Sequence, residues 1–508
     1  MGVHRDGETP MTAVQPKPTP VGETFDSLSP ATDEVVGTYP VHTAEQVGAA
    51  VERARAAAGW WDGLGFAGRA ERLQRWKGVL TRRLPQLCQV VRDETGKPIA
   101  DAQLESVLAI EHIAWAAKNA REVLGKHRRS SGLLMANQAA TVEYLPLGVV
   151  GVIGPWNYPV FTPLGSIAYA LAAGNAVVFK PSEYTPGVGK WLVDAFAEIV
   201  PEQPVLQLVT GFGETGAALV GSGVDKIAFT GSTGTGKKIM AAAADTLTPV
   251  VIEAGGKDAL LVDADADLEA AADATVWGAF SNSGQTCIGV ERVYVHERVA
   301  EEFVAKVVGK AKHVRAGSDE DAQYGPITMP SQLSVIRRHI ADALARGGKA
   351  LVGGVDSVGD RYVQPTVLVD VPEDSEAVRE ETFGPTVTIA RVRDMDEAVE
   401  KANATKYGLG STVFSRARGA ELASRLRAGM TAVNAPLSFA GIASLPFGGV
   451  GDSGFGRIHG PEGLREFARP KAVARQRFTA PLTLTSFSRK ESTDALVAKL
   501  VTVLHGKR

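Results

Sequence analysis

The chain has 508 residues, 44% of them hydrophobic and 22% charged, with a formal net charge of −3. This is a globular composition with length for two or more domains, and the near-neutral balance gives no basic field for nucleic acid. Two cysteines exclude a disulfide framework and suit a reducing, cytoplasmic compartment, and neither a membrane-spanning run nor a signal-peptide core is found.

In chain order, residues 1–20 carry four prolines and little apolar content, which predicts a disordered lead, with Met11 as an alternative start. Residues 25–40 read as two short strands about the turn Ser29-Pro30-Ala31-Thr32. Apolar residues at three- and four-residue spacing predict helices over 45–58, 69–84 and 103–123. Cys88 falls at a buried position of a further helical run over 84–92 and is read as structural. A strand over 141–148 leads into 149–154, a continuous apolar run of the parallel-sheet type. Helices over 163–173 and 187–200 then alternate with strands over 175–180, 205–209, 226–230 and 249–252. That alternation predicts a doubly wound sheet with ligands at the carboxyl ends of its strands.

After residue 257 the pattern restarts. Strands are expected over 260–262, 292–295, 366–369, 386–390, 412–415 and 430–434, with helices over 268–281, 300–312, 332–345, 395–403 and 420–427. A glycine-dense loop over 444–457 and a last strand over 472–478 follow. The stretch 494–504 is apolar on one face and too short to span a bilayer, so it is expected to pack on the body or on a partner subunit.

The chemistry centres on Cys287, in the run Ser281-Asn282-Ser283-Gly284-Gln285-Thr286-Cys287-Ile288-Gly289. Small and polar neighbours cannot bury a thiol in hydrocarbon, but they can hold a thiolate on a tight turn near backbone N–H groups. Glu253 ends an apolar strand before Ala254-Gly255-Gly256, where a carboxylate with a raised pKa suits general-base work, although an exposed strand terminus reads equally well. Asn157, between Trp156 and Tyr158 and bracketed by prolines, offers an amide to an oxyanion, or is a turn residue. Two glycine motifs are weaker. Gly211-Phe212-Gly213-Glu214-Thr215-Gly216 matches a dinucleotide fingerprint, so Gly213 and Gly216 are cofactor candidates, but no acidic residue ends the following strand. The run 231–238, including Gly236, resembles a P-loop in which Lys238 replaces the Mg²⁺-binding hydroxyl; what survives is a helix N-terminus suited to a diphosphate. The nine histidines show no metal-ligand spacing.

Together these stretches resemble the NAD(P)-dependent aldehyde dehydrogenase superfamily from about residue 25 to 475. The blocks that carry the likeness are Pro155-Trp156-Asn157-Tyr158-Pro159, Lys180-Pro181-Ser182-Glu183, Phe229-Thr230-Gly231-Ser232, Glu253-Ala254-Gly255-Gly256-Lys257, Gly284-Gln285-Thr286-Cys287 and Glu381-Thr382-Phe383-Gly384-Pro385. The resemblance implies Cys287 as nucleophile, Asn157 with the Cys287 N–H as oxyanion donors, and Glu253 as the base that hydrolyses a thioester. It implies Lys180 and Glu183 near the adenosine ribose, Trp156, Gly231 and Ser232 near the diphosphate, Glu381 and Phe383 at the nicotinamide ribose, and Ser182 and Thr230 as further cofactor-binding residues. Glu183 would favour NAD, with NADP possible beside Lys180. The one departure is Ala254, where many members carry leucine.

The fold implied is α/β, with a Rossmann-like cofactor domain over 21–130 and 149–254 and a second α/β catalytic domain over 255–440. A small β oligomerisation arm would combine 131–148 with 468–480, and 481–508 would be a tail. A homodimer or homotetramer acting on a small-molecule aldehyde is expected, with no nucleic-acid partner and no membrane span. Two alternatives are a CoA-acylating semialdehyde dehydrogenase, against which Glu253 argues, and a binding protein that has lost catalysis, against which Cys287 and Glu253 both argue. The loops 158–163, 285–289 and 435–445 are expected to line an access tunnel with no arginine for a distant carboxylate, which favours aromatic or medium-chain aldehydes.

Overall fold

The computed structural model describes residues 22–479 and 485–506, so the expected lead 1–20 lies outside the described residues. The two strands after it, Thr24–Leu28 and Val35–Pro40, pair antiparallel. Four helices follow: Ala44–Gly63, Gly65–Arg82, Leu84–Thr95 and Ile99–Leu124. Cys88 is buried within the third, as expected of a small apolar side chain.

A six-stranded sheet lies against these helices. Its order is Gly454–Phe455, Val250–Ala254, Lys226–Gly231, Val149–Ile153, Ala176–Lys180 and Leu206–Leu208. All neighbours are parallel except the first, a two-residue edge strand that runs antiparallel to Val250–Ala254. Parallel strands need both faces covered, and the helix Phe161–Ala173 that packs on the sheet is buried at every residue. Trp61 and Trp76, among the largest fully buried side chains, meet Phe196 edge-on at centroid distances of 6.0 and 5.1 Å. Burial of each such ring stabilises by roughly 2–3 kcal/mol.

The second sheet has seven strands, ordered Lys349–Val352, Thr366–Val369, Thr386–Val392, Val290–His296, Asp258–Val262, Ser411–Phe414 and Ala432–Val433. Only Lys349–Val352 is antiparallel to its neighbour; its four half-exposed residues carry no buried pattern, and sequence periodicity did not mark it. A three-stranded antiparallel sheet joins His127–Arg129, Gln138–Pro146 and Ala468–Gln476. It begins four residues before the expected arm at 131 (131 − 127).

Two stretches add to the expected picture. The segment beyond 440 returns to the first core, where Phe447, Ile458, Leu464 and Phe467 join residues of the first sheet and its helices. Its glycine-dense loop supplies the edge strand Gly454–Phe455. The tail forms a helix, Glu491–His505, none of whose residues is buried against the rest of the chain. No helix among the described residues is long and apolar enough to cross a membrane.

Candidate active site

The site is assembled from carboxyl ends of parallel strands. Val149–Ile153 delivers Trp156 and Asn157, Ala176–Lys180 delivers Lys180, Ser182 and Glu183, Lys226–Gly231 delivers Thr230, Gly231 and Ser232, and Val250–Ala254 delivers Glu253. From the second sheet's side, the helix Leu268–Phe280 ends in a turn, Ser281–Gly284, that precedes Cys287. Asn282 and Ser283 have φ of 50° and 60°, and Gly284 has φ of 69°. A side chain at Gly284 would collide with the backbone carbonyl of Gly384, so the cysteine turn and the 381–384 loop are locked by contact.

Two cavities meet at Cys287. The first, of about 310 Å³, is lined by Trp156, Asn157, Thr230, Gly231, Ser232 and Glu253, and by Cys287, Glu381 and Phe383. The structure thus brings together nine of the residues singled out from the sequence. Trp156 and Phe383 stand edge to face, centroids 5.5 Å apart. Glu381 accepts from the Gly256 N–H at 3.0 Å, and a Cβ at Gly255 would strike its carboxylate. Lys180, Ser182 and Glu183 lie one strand further along. Ser182 Oγ donates to Glu183 Oε2 at 3.2 Å, and Lys180 Nζ is 3.6 Å from the same oxygen.

Six candidates fall outside both cavities: Lys180, Ser182 and Glu183, and the glycines Gly213, Gly216 and Gly236. Gly213 and Gly216 belong to the helix Gly213–Gly221, whose Leu219 packs against Gly151 of the strand Val149–Ile153. Gly236 faces inward, where a Cβ would press on Ile252 and Phe229, so helix-to-sheet packing accounts for it.

Glu253 is buried, and neither carboxylate oxygen has a hydrogen-bond partner. Burial pushes its carboxyl up to about 7, against the opposing influence of the Thr230 hydroxyl and the Cys287 thiol. Burial likewise lifts Glu381 to about 8, with the Glu291 charge adding to it. The thiol environment differs from the expectation of a stabilised thiolate. Burial raises the Cys287 thiol well above its ordinary value, and Glu253, Glu381 and Asp258 raise it further. The neighbouring small residues are as read, but the carboxylates come from distant segments. The resting thiol therefore keeps its proton and needs a base.

Asn157 is held on all sides. Its Nδ2 donates to Gln285 O at 2.9 Å, leaving a second N–H, while its carbonyl accepts from Lys97 Nζ at 2.8 Å and Asn282 Nδ2 at 3.0 Å. Lys97 is buried in an ion pair with Glu105 at 2.5 Å and sits 4.6 Å over the Tyr158 ring. The other Glu105 oxygen accepts from Val160 N at 2.9 Å. A second buried pair, Lys257–Glu291, props the far wall, with Glu291 accepting from the N–H groups of Thr382 and Phe383. Sequence reasoning missed both pairs. Lys257 stood within a quoted block, but nothing local pointed to its partner 34 residues on.

The second cavity, of about 230 Å³, lies on the other side of the thiol. Tyr158, Phe161, Thr286, Ile288, Leu437 and Phe447 line it, as do Leu104, Leu108 and Trp277 from helices that the loop-based expectation did not include. Tyr158 and Thr286 share a hydrogen bond of 3.0 Å. No lysine or arginine lines this cavity; its charged side chains are Asp101 and Glu105.

The aldehyde dehydrogenase family model matches residues 18–473. The chain belongs to the aldehyde dehydrogenase family. It is 38% identical over 463 residues to a 4,4'-diapolycopene aldehyde oxidase of a Methylomonas species, covering 90% of this chain and 87% of that one. It is 36% identical over 485 residues to a Mycobacterium tuberculosis protein named as a candidate succinate-semialdehyde dehydrogenase [NADP(+)], covering 91% and 93%. Among solved structures, an NAD-dependent aldehyde dehydrogenase from Sinorhizobium meliloti superposes with a TM-score of 0.87 at 33% identity, over 91% of this chain and 93% of that one. The protein is an NAD(P)-dependent aldehyde dehydrogenase that oxidises an aldehyde to the carboxylic acid.

The polar cavity fits the family's dinucleotide. Ser232 caps the helix Thr233–Ala244 by accepting from Thr235 N, and at Gly234 the space beside the first turn is open. Uncovered N–H groups at that turn suit a diphosphate, and the aromatic edge of Trp156 and Phe383 suits a flat ring.

Proposed function

We propose that the enzyme works through Cys287 and that its substrates are apolar aldehydes, aromatic or of medium chain length. The observation that carries this reading is the second cavity: it leads to Cys287, its wall is largely apolar, and it holds no cation to pair with a distant carboxylate. Glu253 takes the thiol proton, and Sγ attacks the aldehyde carbon, sending the carbonyl electron pair to oxygen. The free Asn157 N–H and the Cys287 backbone N–H donate to that oxyanion. When bound, the dinucleotide supplies the hydride acceptor that turns the thiohemiacetal into a thioester. Glu253, having passed the thiol proton to solvent, then removes a proton from water, whose oxygen attacks the thioester carbon; the C–S bond breaks, the acid leaves, and Glu253 returns its proton to the Cys287 sulfur.

On the cofactor side, Trp156, Thr230, Gly231 and Ser232 hold the diphosphate, Glu381 and Phe383 the nicotinamide ribose, and Lys180, Ser182 and Glu183 the adenosine ribose. A carboxylate at Glu183 accepts from ribose hydroxyls and repels a 2′-phosphate, which favours NAD over NADP. The two sheets correspond to the cofactor and catalytic domains, the three-stranded sheet to an arm that joins subunits into a homodimer or homotetramer, and two free thiols suit the cytoplasm.

The test is NADH formation with hexanal, benzaldehyde and succinic semialdehyde, using NAD and NADP, for wild type and Cys287→Ser. Hexanal and benzaldehyde are expected to give the higher kcat/KM, NAD to be preferred, and the serine variant to lose at least about 10³-fold. A higher kcat/KM for succinic semialdehyde would overturn the substrate class, and a serine variant with residual turnover near wild type would overturn the nucleophile.

A further inference from the structure

The loop 436–443 forms one wall of the apolar cavity, to which it gives Pro436, Leu437, Ser438, Ala440 and Gly441. Asn434 and Leu437 have φ of 54° and 47°, a region that residues with a side chain rarely occupy, so the loop is bent against its own preference. It is held from beneath by His112 and Tyr169, neither of which lines either cavity. His112 lies on the helix Ile99–Leu124, one turn beyond Leu108, which does line the apolar side. Its Nε2 meets the Ala440 carbonyl at 3.2 Å, and its Nδ1 meets the Tyr169 hydroxyl at 3.3 Å. That hydroxyl also stands 3.1 Å from the Ala443 carbonyl, which accepts from Gly460 N at 3.1 Å as well.

These contacts form a chain with a carbonyl at each end and an imidazole and a phenol between. Each of its three links needs a proton. A neutral imidazole carries one N–H and a phenol one O–H, so two protons must serve three links. Burial holds His112 down to about 4, so near neutral pH its ring has a single proton. His459, stacked on it at a centroid distance of 3.7 Å with neither ring nitrogen partnered, is kept neutral by the same burial. Two arrangements are left. In one, Nε2–H donates to Ala440 and Tyr169 donates to Nδ1. In the other, Nδ1–H donates to the Tyr169 oxygen, the hydroxyl donates to Ala443, and Ala440 faces a lone pair. Both contain two hydrogen bonds. Changing from the first to the second frees the Ala440 end without reducing that number, while Gly460 holds the Ala443 end throughout. No net proton is gained or lost: as the loop lifts, water takes the Nε2 proton and returns one to Nδ1.

We propose that His112 and Tyr169 form a two-position latch on the cavity wall, and that its release at Ala440 sets which aldehydes fit, slender chains when it is closed and fused rings when it is open. The substrate half of this inference rests on the aldehyde's occupying the apolar cavity. Two readouts on the full-length protein test it: hydrogen exchange of the segment 436–445 by mass spectrometry, and the kcat/KM ratio of 2-naphthaldehyde to hexanal. Tyr169→Phe removes the second arrangement and locks the latch, so exchange slows and the ratio falls by about threefold. His112→Phe removes the catch, so exchange quickens and the ratio rises by about threefold, each change being worth one modest hydrogen bond. A merely structural role would loosen the segment in both variants, because each leaves a buried polar group unpaired. Tyr169→Phe deletes a single oxygen and carries the test alone should His112→Phe fail to fold. Faster exchange in Tyr169→Phe, or shifts of one sign in both variants, would overturn the latch. Opposite exchange shifts with an unchanged aldehyde ratio would uphold the latch and overturn the aldehyde's place in this cavity.

Discussion

The two cavities that meet at Cys287 are built by opposite means. On the Glu253 side the walls mix polar and apolar groups, taken in part from strand ends of the first sheet and stiffened by buried charge, with Glu291 holding two backbone N–H groups and Lys257 holding Glu291. On the other side the walls are helix faces and loops, apolar and partly open, with Leu104 and Trp277 each more than 40% exposed. A buried ionised group costs several kcal/mol to desolvate, and one left unpartnered, as Glu253 is, holds its proton to higher pH. Chemistry therefore gathers where polar groups are few and fixed, and selectivity where contacts are apolar and loose.

Glu253→Gln should break the polar side hardest. Acid formation falls by about 10²–10⁴-fold, and the first turnover of NADH slows with it, because Glu253 also takes the thiol proton; a rapid-mixing trace at 340 nm reads both. In wild type the hydrolytic step should rise with pH through about 7 and level off above, because the working form is the ionised carboxylate. Stability carries the opposite sign. The folded carboxyl holds its proton to about 7, whereas an unfolded glutamate releases it near pH ~4.3. The folded state binds the extra proton between those values, so stability falls as pH rises from about 4 to 7 and stays lower above. The amide variant should accordingly be more stable than wild type at pH 8 and show no such gain at pH 4, by urea midpoint.

Lys97→Met tests the pair that spans both cavities, since Lys97 binds the Asn157 carbonyl and Glu105 lines the apolar side. It leaves Glu105 buried and unpaired, at a cost of about 3 kcal/mol or more. Adding Glu105→Gln should restore most of the stability but only part of kcat, because the Asn157 backbone carbonyl keeps Asn282 Nδ2 and loses the Lys97 ammonium. Recovery of kcat together with stability would reduce the pair to scaffolding. The smallest effect is expected from Leu104→Arg at the half-exposed mouth of the apolar cavity. An exposed ion pair contributes up to about 1 kcal/mol, so the kcat/KM ratio of succinic semialdehyde to hexanal should rise by about fivefold at most.

Much of the polar cavity was legible in the sequence, because each strand end is marked by its own local block of proline, glycine and small residues. The Glu253 carboxyl could be placed at a strand end before glycines, where a base and an exposed terminus read equally well, and its burial removes the second reading. What was not legible depends on distant partners. Lys97 and Glu105 are eight residues apart across a helix start, and nothing in that spacing shows that the Asn157 backbone carbonyl lies against Lys97. Leu104, Leu108 and Trp277 look like any amphipathic helix, since exposure to a cavity and exposure to a core have the same periodicity. The thiol was misjudged for the same reason: Glu381 and Asp258 are far from Cys287 in the chain and against it in space. The strand Lys349–Val352 escaped because an edge strand half in water keeps no strict alternation.

The linings of the two cavities have a single residue in common, Cys287. On the proposed assignment, aldehyde and dinucleotide come to the thiol through separate doors, and neither has to pass the other. An enzyme with one door must load and empty in a set sequence. Two doors would impose none, so the order of arrival and departure would be a matter of rates, and an acid could leave by its own door while the spent cofactor is still in place.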